Sequence, residues 1–250
     1  MAKYLGRYDD LKLRLMVIER LRLLKDKYSY KQLSNLTGIP ESVLCRYVKG
    51  SVLPGGETAL ELWRKLESVE SLSSIIRSKI EYTPDGLLNL TKIVYNPYII
   101  KLASQYAVMK FSSKKIKKVI TAAINGIPLA TEIAVNMEKE LIVAKDAKEV
   151  GIKEFVEASY HPGGSSEMKT LYIPKGCIKH GDEVLIVDDL IRTGRTLNAI
   201  VKLVEKNKGR VEGVFALVVV GDKWKEHVKI DCPVEVGLKI EEEELAKRRG

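Results

Sequence analysis

Two adjacent carboxylates, Asp188 and Asp189, stand before a short run of hydroxyl and glycine residues, and this spacing could hold a phosphorylated sugar. The run contains Thr193, Gly194 and Thr196. Carboxylates accept hydrogen bonds from sugar hydroxyls, whereas threonine hydroxyls and free backbone N–H groups donate to phosphate. Glycine also lets the backbone approach a ligand closely. The pattern therefore predicts a sugar-phosphate site over residues 188–196.

A buried strand and an amphipathic helix must position these groups. Residues 184–187 are four apolar, mostly β-branched residues in sequence, which predicts a central strand. Apolar residues recur at helical spacing from Leu197 onward. Ligands of open α/β sheets bind at the carboxyl ends of strands, and helix N-termini attract anions. An ordinary strand–turn–helix with a polar rim is the alternative interpretation.

The segment from Val184 to Thr196 resembles the phosphoribosyl-pyrophosphate (PRPP) signature of type I phosphoribosyltransferases. The resemblance implies their α/β fold, a mostly parallel sheet with flanking helices. It implies PRPP as ligand, with Mg²⁺ arriving through the ligand near the two acids, and no protein side chain binding the metal directly or acting as catalyst. Arg192 and Arg195 stand where the family often has small residues, so they could hold extra phosphate or be solvated. The residues implied to bind PRPP or its phosphate are Asp188, Asp189, Leu190, Ile191, Arg192, Thr193, Gly194, Arg195 and Thr196.

Two further segments match that family's diphosphate-binding parts. A strand predicted over 119–123 leads through Asn125 and Gly126 into an apolar helix, and it resembles the pyrophosphate loop. The residues of that loop are Ala122, Ala123, Ile124, Asn125 and Gly126. After the next predicted strand, Lys145 and Lys148 are implied to reach the diphosphate, although they could be solvated surface lysines. The family often has arginine where Ala144 stands.

A glycine- and serine-rich stretch between two extended runs predicts a mobile hairpin loop. The resemblance implies the flexible loop that closes over substrate. Its named members are Tyr160, Gly164, Ser165 and Ser166. His161 could be catalytic or simply exposed, and Trp224 could stack on a base or a partner, or be packed. The loop lacks the family's acidic-tyrosine element, and no base-specificity motif is recognised.

Near the N-terminus, residues 29–50 have the pattern of a helix-turn-helix. Ser29 is suited to cap a first helix, Gly38 to make the turn, Pro40 to begin a second helix and Gly50 to end it. Six side chains are expected to face inward. They are Leu33, Leu36, Ile39, Val43, Leu44 and Tyr47.

Residues 28–66 resemble the λ-repressor-like family, with a Thr-Ala-Leu continuation at 58–60. In that family the second helix reads base edges in the major groove. The resemblance places Glu41, Ser42, Cys45 and Arg46 at base edges, and Gln32, Lys49 and Ser51 near phosphates. Arg46 is the preferred reader because its planar fork suits guanine or phosphate. Glu41 stands where an amide is more usual, and a helical hairpin that docks other proteins is the alternative.

Charge and composition agree with a nucleic-acid-binding protein. The 250-residue chain has a net charge of +9, and residues 1–68 carry 13 Lys and Arg against 8 Asp and Glu. This local excess favours an anionic partner, foremost double-stranded DNA. No apolar run is long enough to span a membrane, and the N-terminus lacks a signal-peptide pattern. Three scattered cysteines indicate free thiols, so we expect a cytoplasmic protein.

These observations predict three regions: a helix-turn-helix domain (1–68), a helical connector with the segment leading onward (69–96), and a phosphoribosyltransferase-like effector-binding domain (97–250). The combination resembles archaeal helix-turn-helix/phosphoribosyltransferase regulators and, over about 97–220, bacterial purine repressors. It implies a homodimeric or larger regulator that binds a palindromic operator, senses PRPP or a related nucleotide or sugar phosphate, and controls nucleotide or sugar metabolism genes. The alternative is an active phosphoribosyltransferase with an autoregulatory DNA-binding extension.

Overall fold

The computed structural model describes residues 7–162 and 167–246. The chain divides into two compact units, Met1–Ile75 and Ile76–Gly250. Gly164, Ser165 and Ser166, which the sequence assigns to the flexible loop, lie outside the described residues. No helix in the described ranges is both long and apolar enough to cross a membrane.

The first unit is helical. Its helices are α1 (Arg7–Lys25), α2 (Tyr30–Thr37), α3 (Glu41–Lys49) and α4 (Gly56–Val69), and α5 (Leu72–Lys79) spans the division between the units. Leu21, Leu33, Leu44 and Leu62 are fully buried and form its core. Their burial fixes how α1 to α4 pack.

The pair α2 and α3 forms the predicted helix-turn-helix. The Ser29 side chain accepts the Gln32 backbone N–H, and the Gln32 side chain accepts the Ser29 N–H, which completes a capping box. Gly38 then adopts φ 68°, a left-handed conformation that glycine takes without strain. The local residue chemistry therefore sets both the start and the end of α2.

One inward-facing residue of the helix-turn-helix was predicted wrongly. Leu36 is 50% exposed, whereas Thr37 is buried. Leu33 and Thr37 are four residues apart and share the buried stripe, while Leu36 is rotated about 60° from Leu33 around the axis. Thr37 tolerates burial because its hydroxyl donates to the Leu33 carbonyl at 2.7 Å.

The second unit alternates strands and helices, which confirms the α/β class. Before the main sheet come β1 (Glu81–Tyr82), β2 (Leu88–Asn89), α6 (Thr91–Val94) and α7 (Pro97–Phe111). The following elements are β3 (Lys118–Ala122), α8 (Ile127–Met137), β4 (Glu140–Ala144), β5 (Phe155–Tyr160), β6 (Lys169–Pro174), β7 (Glu183–Ile191), α9 (Arg195–Lys206), β8 (Arg210–Val220), α10 (Trp224–His227), β9 (Val234–Ile240) and α11 (Glu242–Ala246).

The main sheet has the order β4-β3-β7-β8-β9, and all its neighbouring strands are parallel. Strands β5 and β6 form a separate antiparallel hairpin. Backbone bonds between Lys145 and Tyr172 connect this hairpin to the residue after β4. The arrangement gathers the carboxyl ends of β3, β4 and β7 on one edge beside the hairpin.

Strand β7 is longer than its apolar core predicts. The sequence indicates 184–187, but pairing with β8 continues from Asp188 opposite Ala216 to Ile191 opposite Val219. The two acids therefore lie within the strand near its carboxyl end rather than after it. Pairing with β8 holds the backbone of this part of β7 in place and so sets the direction of the two acidic side chains.

Candidate functional site

A cavity of about 230 Å³ opens at the carboxyl ends of β3 and β7. The β3–α8 loop contributes Ala122, Ala123, Ile124 and Asn125, and the β7–α9 segment contributes Asp188, Asp189, Leu190 and Thr196. Asp146 and the hairpin residues Tyr160, Lys169 and Leu171 complete the described lining. The fold thus brings both phosphate-binding segments inferred from the sequence to one site.

The acid pair lines this cavity, with Asp188 buried and Asp189 half-buried. Asp188 is 7% exposed, and its Oδ1 accepts the Asp189 backbone N–H at 3.0 Å. Burial, together with the adjacent charge of Asp189, raises the pKa of Asp188 well above its ordinary value. Burial also raises the pKa of Asp189, although hydrogen bonds with the side chains of Asp188 and Asn125 oppose that rise. Two crowded carboxylates of this kind favour a ligand that brings hydroxyl donors or a cation.

The turn after β7 is shaped by Gly194. Its φ is 73°, and a Cβ added there would lie 2.7 Å from the Trp224 carbonyl oxygen. Helix α9 starts at the next residue, so its first N–H groups are available to an anion. Trp224 is buried behind this turn, and packing is the role that the structure gives it.

The loop after β3 is similarly tight at Gly126. A Cβ at this position would lie 2.2 Å from the Thr121 hydroxyl oxygen, so only glycine fits. The Ala123–Ile124 peptide is cis, and Ile124 is 72% exposed at the cavity. The Tyr95 hydroxyl donates to Asn125 Oδ1 at 3.2 Å, which helps to orient the loop.

The predicted diphosphate lysines have carboxylate neighbours. Lys145 Nζ lies 2.7 Å from Glu149, and Lys148 Nζ lies 3.6 Å from Glu157 and 5.1 Å from the centre of the Tyr172 ring. Neither lysine is among the described residues that line the cavity. Their role in diphosphate binding stays a prediction.

The two arginines of the signature differ in their surroundings. Arg195 donates to the carbonyls of His161 at 3.1 Å and Pro162 at 3.5 Å, so it contacts the end of the hairpin. Arg192 is exposed. Contact with Glu242 raises the pKa of Lys223, and the positive charge of Arg192 opposes that rise. Arg195 thus connects the turn after β7 to the segment that follows β5.

Sequence reasoning did not single out Asp146, Lys169 or Leu171 as lining residues. Lys169 and Leu171 alternate along β6 and therefore face the same side, and Lys169 pairs with Tyr160. That alternation was visible in the sequence. The register with β5, which decides the side facing the cavity, was not.

A family model for the phosphoribosyl transferase domain matches residues 90–246. The chain belongs to this family. Its parallel sheet and cavity confirm the predicted type I phosphoribosyltransferase fold.

The phosphoribosyltransferase relatives include regulators and enzymes. The purine biosynthesis transcriptional repressor PurR of Bacillus subtilis is 24% identical over 215 residues, which are 85% of this chain and 71% of the repressor. The hypoxanthine/guanine phosphoribosyltransferase of Methanothermococcus okinawensis is 34% identical over 166 residues, covering 65% of this chain and 85% of the enzyme. The crystal structure of adenine phosphoribosyltransferase from Rhodothermus marinus shares the fold, with a TM-score of 0.61 and 22% identity over 68% of this chain and 99% of that one. The predicted similarity to bacterial purine repressors is confirmed.

The helical unit has its own candidate surface on α3. Glu41, Ser42, Arg46 and Lys49 are exposed, and Ser51 is exposed just after the helix. Cys45 is half-buried. Burial and contact with the Cys45 thiol raise the pKa of the neighbouring Tyr30.

Gln32 differs from the other predicted phosphate contacts because it already has a structural task. Its side-chain oxygen accepts the Ser29 N–H at 2.8 Å. Its amide nitrogen keeps its donors for another partner. The DNA roles of all seven residues stay predictions.

Proposed function

We propose that this protein is a DNA-binding transcriptional regulator that senses PRPP or a related nucleotide or sugar phosphate. The observation that carries the proposal is one chain combining a helix-turn-helix whose second helix exposes Arg46 with a phosphoribosyltransferase cavity around Asp188 and Asp189. The similarity to a purine biosynthesis repressor supports the same combination. The regulated genes would serve nucleotide or sugar metabolism.

The cavity suits a phosphorylated ribose. The start of α9 and the hydroxyl of Thr196 would hold the 5-phosphate, and Asp188 and Asp189 would accept the ribose hydroxyls. Gly126 would let the preceding loop approach the diphosphate. Each group thus meets the part of PRPP that its chemistry matches.

Magnesium fits the same site as a companion of the ligand. Mg²⁺ is commonly held by one or two carboxylates and substrate phosphates. Within 7–162 and 167–246 there is no cluster of three metal-binding side chains; the ion would arrive with the ligand's phosphates, and buried Asp188 and half-buried Asp189 would supply two carboxylates near it. When bound, the ion would neutralise charge on the diphosphate oxygens.

DNA recognition would use two copies of the chain. A homodimer would place two α3 helices about 34–36 Å apart in successive major grooves of a palindromic operator. Ligand binding would change operator affinity through a difference in ligand affinity between DNA-competent and DNA-incompetent arrangements.

The test is fluorescence anisotropy with a labelled duplex from upstream of the protein's own gene. The duplex is titrated with and without PRPP and Mg²⁺ at fixed salt. We expect PRPP to change the Kd by at least about 5-fold, the low end of ordinary allosteric coupling. The variant Asp188→Ala/Asp189→Ala should bind the duplex but lose this response. No preference for the duplex over a scrambled one would refute regulation by DNA binding, and an unaltered response in the double variant would place the effector elsewhere.

An active phosphoribosyltransferase is the second candidate. It is favoured by the position of both predicted phosphate loops at one cavity and by the 34% identity to an enzyme of that class. Catalysis would come from positioning and charge stabilisation rather than from a nucleophile. Incubation with PRPP, Mg²⁺ and each common base, followed by a pyrophosphate assay, distinguishes the candidates. Robust turnover with any base would reject a pure sensor.

A further inference from the structure

Lys169 is held at the cavity wall by strand register. It begins β6 and pairs with Tyr160, the last residue of β5. Lys169, Tyr160 and Leu171 all line the cavity that contains the acid pair. Since side chains alternate along a strand, Lys169 and Leu171 leave β6 on the same face, and the register with β5 sets which face that is.

The cavity around Lys169 is otherwise acidic. Its described lining contains the carboxylates of Asp146, Asp188 and Asp189, and Lys169 is the single cation in that lining. Within the described ranges the side chain of Lys169 has no hydrogen bond or ion pair. A polyanionic ligand in this cavity therefore meets one lysine whose ammonium is not already engaged.

The two lysines suggested by family resemblance are differently placed. Lys145 and Lys148 are beside Glu149 and Glu157, outside the described lining. Each would have to exchange a carboxylate neighbour for phosphate.

The guanidinium of Arg195, in the sequence signature, also has partners already. It donates to the carbonyls of His161 and Pro162. This contact ties the start of α9 to the segment after Tyr160. Arg195 therefore helps to hold the β5–β6 hairpin, to which Lys169 belongs, and its guanidinium is less available to a ligand.

The geometry points to Lys169 as the residue that binds the diphosphate group of the ligand. Lys169 selects a sugar phosphate carrying a second, diphosphate group over one carrying the 5-phosphate alone. An ammonium donates strongly to phosphate oxygens and offsets the repulsion that Asp146 and the acid pair exert on them. This inference rests on the proposed binding of PRPP.

The test uses the full chain and isothermal titration calorimetry with PRPP and with ribose 5-phosphate, both at the same Mg²⁺ concentration. Lys169→Gln should weaken PRPP binding by about 10- to 100-fold, the usual effect of losing a charged hydrogen bond, and leave ribose 5-phosphate binding unchanged. Lys169→Arg should retain most of the PRPP affinity because arginine also binds phosphate. Lys175→Gln is the matched control, since Lys175 lies just beyond β6 beside Glu154 at 2.6 Å and outside the described lining.

Three results would overturn the inference. They are unchanged PRPP affinity in Lys169→Gln, an equal loss for both ligands, or a selective PRPP loss in Lys145→Gln or Lys148→Gln while Lys169→Gln binds normally. Failure of the unsubstituted protein to bind PRPP is a separate outcome that rejects the proposed effector itself, and Lys169 as its diphosphate contact with it. Circular dichroism of each variant checks that the fold is retained.

Discussion

The two candidate binding regions expose their polar residues in opposite ways. Helix α3 presents Arg46 and Lys49 on the surface, whereas β7 buries Asp188 to 7% exposure. A surface that meets a large, flat partner does not require buried polar groups. A site for a small polar ligand surrounds it, so its polar groups are desolvated and linked to the packing of the fold. Substitutions on α3 should therefore change binding without changing stability, whereas substitutions at the site around Asp188 should change both.

The largest effect is expected at the buried site, from Gly194→Ala. The new Cβ would meet the Trp224 carbonyl at 2.7 Å in a backbone conformation unfavourable to alanine, and the combined cost is about 2–4 kcal/mol of unfolding free energy. PRPP binding should fall together with stability, measured by urea unfolding and calorimetry.

Gly176→Ala is the matched control for that change. Gly176 has a φ of 86°, but nothing lies within 4 Å of an added Cβ. It therefore carries backbone strain alone, of about 1 kcal/mol. Equal losses in the two variants would show that the contact with Trp224 has no energetic weight.

On the exposed side, Arg46→Ala should weaken operator binding by about 1–3 kcal/mol, or roughly 5- to 150-fold, while the unfolding temperature stays unchanged. The reason is that Arg46 is exposed and can lose its guanidinium without opening the core. Anisotropy and calorimetry measure the two quantities. Arg64→Ala removes the same charge from α4 and should bind DNA nearly normally, so a similar loss in both variants would contradict a specific contact.

A smaller loss is expected from Ser29→Ala, which removes half of the capping box. About 1 kcal/mol should be lost locally, so the amides of α2 should exchange with solvent roughly 5-fold faster. Ser34→Ala in the same helix should not accelerate exchange, because alanine favours helix and Ser34 is not a cap. Equal amide exchange rates in the two variants would show that the Ser29 cap does not stabilise α2.

The smallest expected effect is a gain, from Asp188→Asn. Because burial raises the pKa of Asp188, the carboxyl keeps its proton to a higher pH in the folded chain than in the unfolded chain. The free energy of unfolding therefore decreases as the pH rises above 3.8, the ordinary pKa of an aspartate. The variant should melt above the unsubstituted protein at neutral pH, with the difference shrinking as pH falls toward 3.8. The asparagine oxygen can still accept the Asp189 N–H.

Scanning calorimetry across this pH range tests the sign, and exposed Asp146→Asn serves as the comparison. The measured quantity is the melting temperature of Asp188→Asn minus that of the unsubstituted protein. A smaller difference at pH 7 than at pH 4 would contradict the expected sign. PRPP binding should weaken even where stability increases, since the ligand loses a carboxylate.

Much of the fold could be predicted because its signals are local. Helix α7 runs over Pro97–Phe111 as the apolar spacing predicts, with the Asn96 side chain accepting the N–H groups of Tyr98 and Ile99. Gly38 marks the turn after α2, and Gly194 marks the turn before α9, because glycine takes the left-handed conformation that both turns need. Such features depend on neighbours a few residues apart. The ligand chemistry predicted for residues 188–196 stays a prediction.

The remaining features depend on distant pairing. Strand β7 extends past Val187 because β8 continues beside it, and Lys169 reaches the cavity because it pairs with Tyr160. No local pattern encodes either register. The outward position of Leu36 likewise depends on which stripe of α2 the other helices cover.

The positions of the two tryptophans give each unit its own optical probe. Trp63 is in the helical unit with the Arg20 guanidinium 4.7 Å from its ring, and Trp224 is packed behind the Gly194 turn of the phosphoribosyltransferase unit. The sequence contains no other tryptophan. In Trp63→Phe the tryptophan emission would come from beside the Gly194 turn, and in Trp224→Phe it would come from the helical unit. Changes at the Gly194 turn and changes in the helical unit can thus be followed separately without attached dyes.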